Sequence, residues 1–162
     1  DDIMPSNVHT IYSNEHALIN LLPKTDLLIG AVLVVGAKAP KIIDRNLLSI
    51  MMPGSVLVDV SVDQGGCIET TKPTTHKNPT FVEENVTHYC VANMPGAVPY
   101  TSTIALCNAT FNYIKELADF GLASLRNNPS LLKGLNVYKG KITHPAVADC
   151  FNLEYSNPLE LL

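Results

Sequence analysis

The chain reads as an α/β fold built on a parallel sheet, either a doubly wound sheet or part of one. Short, nearly continuous apolar runs recur at Asp26 to Val32 (DLLIGAV), Ser55 to Val60 (SVLVDV) and Thr87 to Ala92 (THYCVA). Such runs are expected of strands covered on both faces. Helix signals stand between strands in the first half, and strands separated by brief helices imply parallel pairing with right-handed crossovers.

Taken in order, Val8 to Ser13 reads as a strand, and Asn14 is placed to cap a helix running to about Leu22. The Asp26 run follows as the second strand. Asp44 then caps a short helix through Ile50, which Pro53-Gly54 stops. The Ser55 and Thr87 runs complete the sheet. Beyond them the pattern changes. From Thr101 to Phe120 apolar residues recur at Ile104, Cys107, Phe111, Ile114 and Ala118, the stripe of an amphipathic helix ended by Gly121. Asn127, Asn128 and Pro129 interrupt the chain, and Asn136 to Thr143 reads as a short hairpin about Gly140. Thr143-His144-Pro145 opens a last helix, with proline in the first turn, where its missing N–H costs nothing. No internal repeat or low-complexity segment interrupts this order.

Composition narrows the function classes. The 162 residues are 46% apolar and 16% charged, with a net charge of −4. The charged fraction lies below the roughly 25% usual for soluble domains, so some apolar surface is expected to face other protein. Phosphate binding needs clustered Lys and Arg; Lys133, Lys139 and Lys141 come nearest and fit a solvated hairpin, so nucleic acid is not expected as a partner. No apolar run reaches the roughly 20 residues that cross a bilayer, and no membrane partner is expected. The opening Asp1-Asp2-Ile3-Met4-Pro5 does not read as a signal peptide and has no initiator Met, the mark of a chain cut from something longer. Cys67, Cys90, Cys107 and Cys150 are widely spaced without a C-x-x-C, so neither a disulfide framework nor a zinc site is expected, and a cytoplasmic location fits. Cys107 and Cys150 fall in helical patterns and are expected as buried free thiols.

Ligands of open parallel sheets bind beyond the carboxyl ends of the strands. The exits here are Ser13, Val32 through Pro40, Ser61 through Gly66, and Asn93 through Pro99, most of them rich in glycine or proline. Asp63 is the sharpest candidate: it follows a buried strand and precedes Gln-Gly-Gly. Its carboxylate either projects into the crevice to accept a proton or orient a hydroxyl, or caps a turn through the N–H groups of Gly65 or Gly66. Asp59, inside the strand, reads as a structural hydrogen-bonding residue. The five histidines lack metal-ligand spacing and read as structural, so no metal is expected. Lys38 and Lys72 could serve a phosphate or ribose, or be merely solvated. Ser13 could bond a purine ring or cap the next helix. There is no G-x-G-x-x-G, P-loop or G-x-S-x-G.

At the strand exits the segments IGAVLVVGAKAPK, PGSVLVDVSVDQGGCIETTKPTTH and HYCVANMPGAVPYTSTIALCNAT, continued by KGLNVYKGKITHPAVA, resemble the NAD-dependent alanine dehydrogenases. The resemblance covers essentially the whole chain. It implies the second half of a Rossmann-like doubly wound sheet over residues 1–98, a partial NAD-binding domain, and a long helix, hairpin and terminal helix over 99–162 that return toward a substrate domain. It implies oxidative deamination of L-alanine to pyruvate and ammonia with hydride transfer to NAD. Residue by residue, Asp63 matches the catalytic aspartate beside the nicotinamide ribose. Ser13 matches a serine near the adenine, and Val32 and Leu33 match residues lining the dinucleotide. Val60, Ser61, Val62 and Asp63 match the next wall, Lys72 a basic cofactor contact, and Val91, Ala92, Asn93 and Met94 the residues that close the pocket.

Lys72 and Tyr100 stand where the family more often has arginine, and Val35 where proline is common. The glycine fingerprint, the ribose-binding acid and the residues that bind the amino acid would precede Asp1, in an amino-terminal half that the chain needs as a partner. Alone, the chain is expected to be inactive. The family assembles as homo-oligomers, commonly hexamers. The Asp-Gln-Gly-Gly loop is shared with the proton-translocating nicotinamide nucleotide transhydrogenases, so a soluble NAD-binding component of one is an alternative. A non-catalytic assembly module is another.

Overall fold

The computed structural model describes residues 3–35 and 37–162. Gly36, in the glycine- and proline-rich exit of the second expected strand, and the opening Asp1-Asp2 lie outside the described residues. The chain forms two compact units: Asp1–Leu33 with Ala39–Ala92, and Val34–Lys38 with Asn93–Leu162.

In the first unit the helix α1, Glu15–Leu21, starts where expected: Asn14 accepts a hydrogen bond from the Ala17 amide at 2.9 Å. A 3-10 turn, Leu22–Lys24, leads into strand β1, Leu27–Gly30. Helix α2, Arg45–Ser49, is capped by Asp44, whose Oδ1 accepts from Leu47 N at 2.7 Å. Strand β2, Val56–Asp59, follows, then β3, Thr80–Glu83, and β4, Val86–Tyr89. The sheet order is β1-β2-β4-β3. β1 runs parallel to β2, with Gly30 opposite Asp59, and β2 runs parallel to β4, with Val58 opposite Tyr89. The carboxyl ends of these three strands therefore lie level along one side of the sheet.

Three expectations fail here. Residues 8–13 make no strand: Ile11 is 57% and Tyr12 94% exposed. Apolar alternation supplies a strand-like surface but not the neighbouring edge that must accept its hydrogen bonds. β1 is half-buried on one face only, with Leu27 and Ile29 exposed on the other, so this run is not covered on both faces. The sheet is also not wholly parallel. β3 was not anticipated and pairs antiparallel with β4 in a tight hairpin whose turn residues Glu84 and Asn85 both take positive φ.

The core lies where the sheet meets α2 and the loop after β2. Leu22, Leu48, Leu57, Ile68 and Val86 are each at most 1% exposed, and each such burial is worth roughly 1.5–3 kcal/mol. His88 is buried among them. Its Nδ1 pairs with the Val86 carbonyl at 2.9 Å, its Nε2 with Thr70 Oγ1 at 2.8 Å, and its ring stacks on Phe81. That is the structural role expected of it.

The second unit contains α3, Pro99–Phe120, α4, Ala123–Asn127, and α5, Pro129–Lys133. The hairpin strands β5, Val137–Tyr138, and β6, Lys141–Ile142, follow, then α6, Pro145–Phe151, and α7, Pro158–Leu161. α3 ends at Gly121 as expected. It buries no residue, however, and Phe111, Ile114 and Phe120 are mostly exposed. The two helical cysteines follow suit: Cys107 and Cys150 are exposed, whereas Cys67 and Cys90 are buried. The thiol expectation is thus corrected, because a helical apolar stripe identifies a face but not whether anything covers it.

Candidate functional site

Most of the residues singled out in the sequence meet at the level carboxyl ends of β1, β2 and β4. Val32 and Leu33 leave β1, the 3-10 turn Val60–Gln64 leaves β2, and Val91 and Ala92 leave β4. Leu33, Val60 and Ala92 are exposed. Val62 and Val91 are at most 3% exposed, so their side chains belong to the interior. Ser61 is also buried, and its hydroxyl donates to the Val32 carbonyl at 2.7 Å, tying one exit to the next.

Asp63 stands on this turn with an exposed side chain and no side-chain hydrogen bond or ion pair among the described residues. The turn-capping alternative is excluded: the amides of Gly65 and Gly66 bond to the carbonyls of Ser61 and Val62 instead. The Asp63 side chain faces solvent. Beside it, Gln64 carries a buried Oε1 without a hydrogen-bond partner among the described residues.

Asp59 holds the loop from beneath. It is fully buried, and its Oδ1 accepts from the Ser61 amide at 3.0 Å while its Oδ2 accepts from the Cys67 amide at 2.9 Å and from Thr71 Oγ1 at 2.5 Å. The Cys67 thiol also points at Oδ1, 3.6 Å away. Burial, reinforced by the Asp59 charge, pushes the thiols of Cys67 and Cys90 up from their ordinary range, so both are protonated and unreactive. Gly66 has φ +75, and a Cβ there would lie 2.7 Å from Asp59 Oδ2 and 2.5 Å from a Thr71 methyl. Only glycine lets the loop close onto the carboxylate.

A second anchor escaped the sequence reading. The Lys41 ammonium donates to the carbonyls of Gly65 at 2.7 Å and Ile68 at 2.9 Å. The contact joins residues 24 and 27 positions apart, and no local pattern encodes that.

The remaining candidates lie elsewhere. Ser13 is exposed ahead of α1 and lines a hollow of about 390 Å³ with Lys41 and Asp44. Lys72 sits over the Phe81 ring, 4.1 Å from its centroid, with Glu83 at 3.9 Å, so its charge is engaged by the hairpin. Asn93 and Met94 open the second unit, Asn93 in the left-handed conformation ahead of the 3-10 turn Met94–Ala97. Lys38 is an exposed residue of the second unit. Among the described residues no three His, Cys, Asp or Glu side chains gather as a metal site, and no helix is long and apolar enough to cross a membrane.

Residues 1–145 match the family described as alanine dehydrogenase/PNT, C-terminal domain. The chain belongs to that family. It is 53% identical to the alanine dehydrogenase of Halomonas elongata over 100% of its own length, and 48% identical to that of Mycobacterium tuberculosis over 96%. It covers 44% and 42% of those relatives, so it spans less than half the length of the curated proteins it matches. Among solved structures, an L-alanine dehydrogenase superposes with a TM-score of 0.80 at 48% identity, covering 93% of this chain and 42% of that one. A transhydrogenase from Sinorhizobium meliloti superposes at 0.59 with 21% identity, over 81% of this chain and 35% of that one; that likeness concerns the fold alone. The family's Rossmann-like architecture agrees with the α/β sheet described here.

Proposed function

We propose that this chain is the carboxy-terminal part of an NAD-dependent L-alanine dehydrogenase, interconverting L-alanine with pyruvate and ammonia. The observation that carries the reading is Asp63: an exposed carboxylate without a partner among the described residues, on a rigidly held turn at the shared carboxyl ends of β1, β2 and β4. An unpaired carboxylate on a fixed backbone can hold or accept a proton at a defined place.

The residues at this edge fit a dinucleotide. Leu33 and Val60 present exposed apolar surface of the kind that lies against a flat ring and keeps water from it. The buried Ser61 and Val62 fix the backbone of that wall. Val91 and Ala92 complete the contacts proposed at this edge. When bound, NAD supplies the hydride acceptor; Asp63 manages a proton at the reacting carbon's nitrogen or oxygen substituent.

Substrate-binding residues and the pyrophosphate cradle are assigned to the part of the enzyme that this chain does not span. The exposed apolar side chains of α3, Phe111 and Ile114 among them, are assigned to contact with that same part. Assembly into a homo-oligomer is proposed for the complete enzyme.

The test is a chimera in which these 162 residues replace the matching segment of the Halomonas relative. Alanine-dependent NAD reduction is expected, and Asp63→Asn should lower kcat/KM at least about 100-fold, in the range of a lost general acid–base group, with the melting temperature unchanged. Hydride exchange between nucleotides without any need for alanine would replace this reading with the transhydrogenase one.

A further inference from the structure

We propose that Asp59 is the positioning residue of this site, a buried carboxylate whose task is to set the place of Asp63. The inference rests on the role given to Asp63 above and adds a residue that acts through it.

Stability alone does not account for Asp59. β2 reads Val56-Leu57-Val58-Asp59, and the fourth position is as buried as Leu57, at 0% exposure. An apolar residue there would meet no desolvation cost, whereas a buried carboxylate is tolerable only when its oxygens are fully satisfied. They are, and every partner is a donor, as an acceptor-only group requires. The distribution of those donors gives the role. One is the Ser61 amide, at the start of the turn that carries Asp63; the others are the Cys67 amide and thiol and the Thr71 hydroxyl, where the loop returns. One carboxylate thus grips both ends of the segment from Val60 to Gly66. The two successive left-handed glycines, Gly65 at φ +88 and Gly66 at φ +75, turn the chain back so that the Cys67 amide reaches Oδ2. Lys41 holds the outer side of the same turn through Gly65. Asp63, which touches none of these groups, is fixed through its backbone by all of them.

Three substitutions separate positioning from packing. Asp59→Asn keeps the volume but turns one acceptor into a donor facing donors. Thr71→Val keeps the shape and removes only the hydroxyl, and Thr71→Ser restores the hydroxyl with less bulk. In the chimera, Asp59→Asn should lower kcat at least about 100-fold and Thr71→Val about tenfold, each with the KM for alanine within about threefold of the parent. Thr71→Ser should keep most of the parent rate. In the isolated chain, hydrogen exchange should quicken at the Ser61, Gly65, Gly66 and Cys67 amides in Thr71→Val and not along β4.

Parent-like kcat in Thr71→Val, or a Thr71→Ser protein no better than Thr71→Val, would overturn the proposal while leaving the alanine dehydrogenase reading intact. A parent chimera with no alanine-dependent activity would instead defeat that reading. Should Asp59→Asn fail to fold, the Thr71 pair decides alone.

Discussion

Asp63 and Asp59 lie four positions apart and are read in opposite ways by their surroundings. One is exposed without a partner among the described residues, the other buried with both oxygens occupied. Their difference was legible in sequence as far as strand burial could carry it: a carboxylate inside an apolar strand needs hydrogen bonds, and one just past its end is free to face solvent. Which donors Asp59 would find was not legible, since Cys67 and Thr71 reach it across 8 and 12 residues. The glycines beside them give a test of the geometry. Gly65 has open space where a Cβ would go, so Gly65→Ala should cost only the left-handed strain, about 1 kcal/mol. Gly66→Ala carries similar strain and drives a methyl into Asp59 and Thr71, and should cost about 3 kcal/mol or more. Urea unfolding of the two variants checks the order, and equal midpoints would contradict the packing described. The thiols give a second test. At neutral pH a disulfide reagent should modify Cys107 and Cys150 rapidly in the native chain and reach Cys67 and Cys90 only on unfolding. Rapid reaction of all four would mean that the region around Asp59 is open.

Among the elements, those announced by a local signal were the ones the sequence placed well. Asn14 and Asp44 accept the capping bonds expected of them, and Gly121 ends α3. Each of these depends on residues within one turn. The β3–β4 hairpin had no such signal. Its two-residue turn needs positive φ twice, a demand usually met by Asn-Gly or Asp-Gly, and here Glu84 takes φ 51. Part of what holds that hairpin is electrostatic. The Arg45 guanidinium, at the start of α2, bonds Glu83 at 2.5 Å and Glu84 at 2.6 Å. Its hydrogen bond holds the Glu83 carboxyl below the usual glutamate range. A carboxyl depressed in the folded state stabilises the fold fully above its unfolded pKa, near 4.5, and loses that contribution as pH falls through the lower folded value. Wild-type chain should therefore exceed Glu83→Gln in urea midpoint at pH 7, and the gap should narrow as pH falls below that unfolded value. A gap that persisted unchanged to pH 2.5 would show that the pair contributes nothing through its charge.

Across the whole molecule, burial is unevenly shared. Among the described residues, every buried apolar side chain except Leu125, Ala148 and Pro158 belongs to the first unit, where the sheet, α2 and the loop after β2 close around Leu57 and Ile68. The second unit spends its apolar residues differently: α3, about 33 Å long at 1.5 Å per residue, buries none of them. Burying apolar surface is the main force available to offset chain entropy, so the two parts should differ in their ability to fold by themselves. We propose the division at residues 98 and 99 as the place to cut. A fragment of residues 1–98 keeps every strand of the four-stranded sheet and its core, and should unfold cooperatively in urea, with a sigmoidal loss of far-ultraviolet circular dichroism. A fragment of residues 99–162 retains helices with little to pack against and should lose signal gradually, because a helix without tertiary burial is only marginally stable in water. Hydrogen exchange on the intact chain should agree, with the slowest amides on β2 and β4 and rapid exchange along α3. A sharp transition from the second fragment, together with a gradual one from the first, would reverse this assignment of stability and place the core elsewhere.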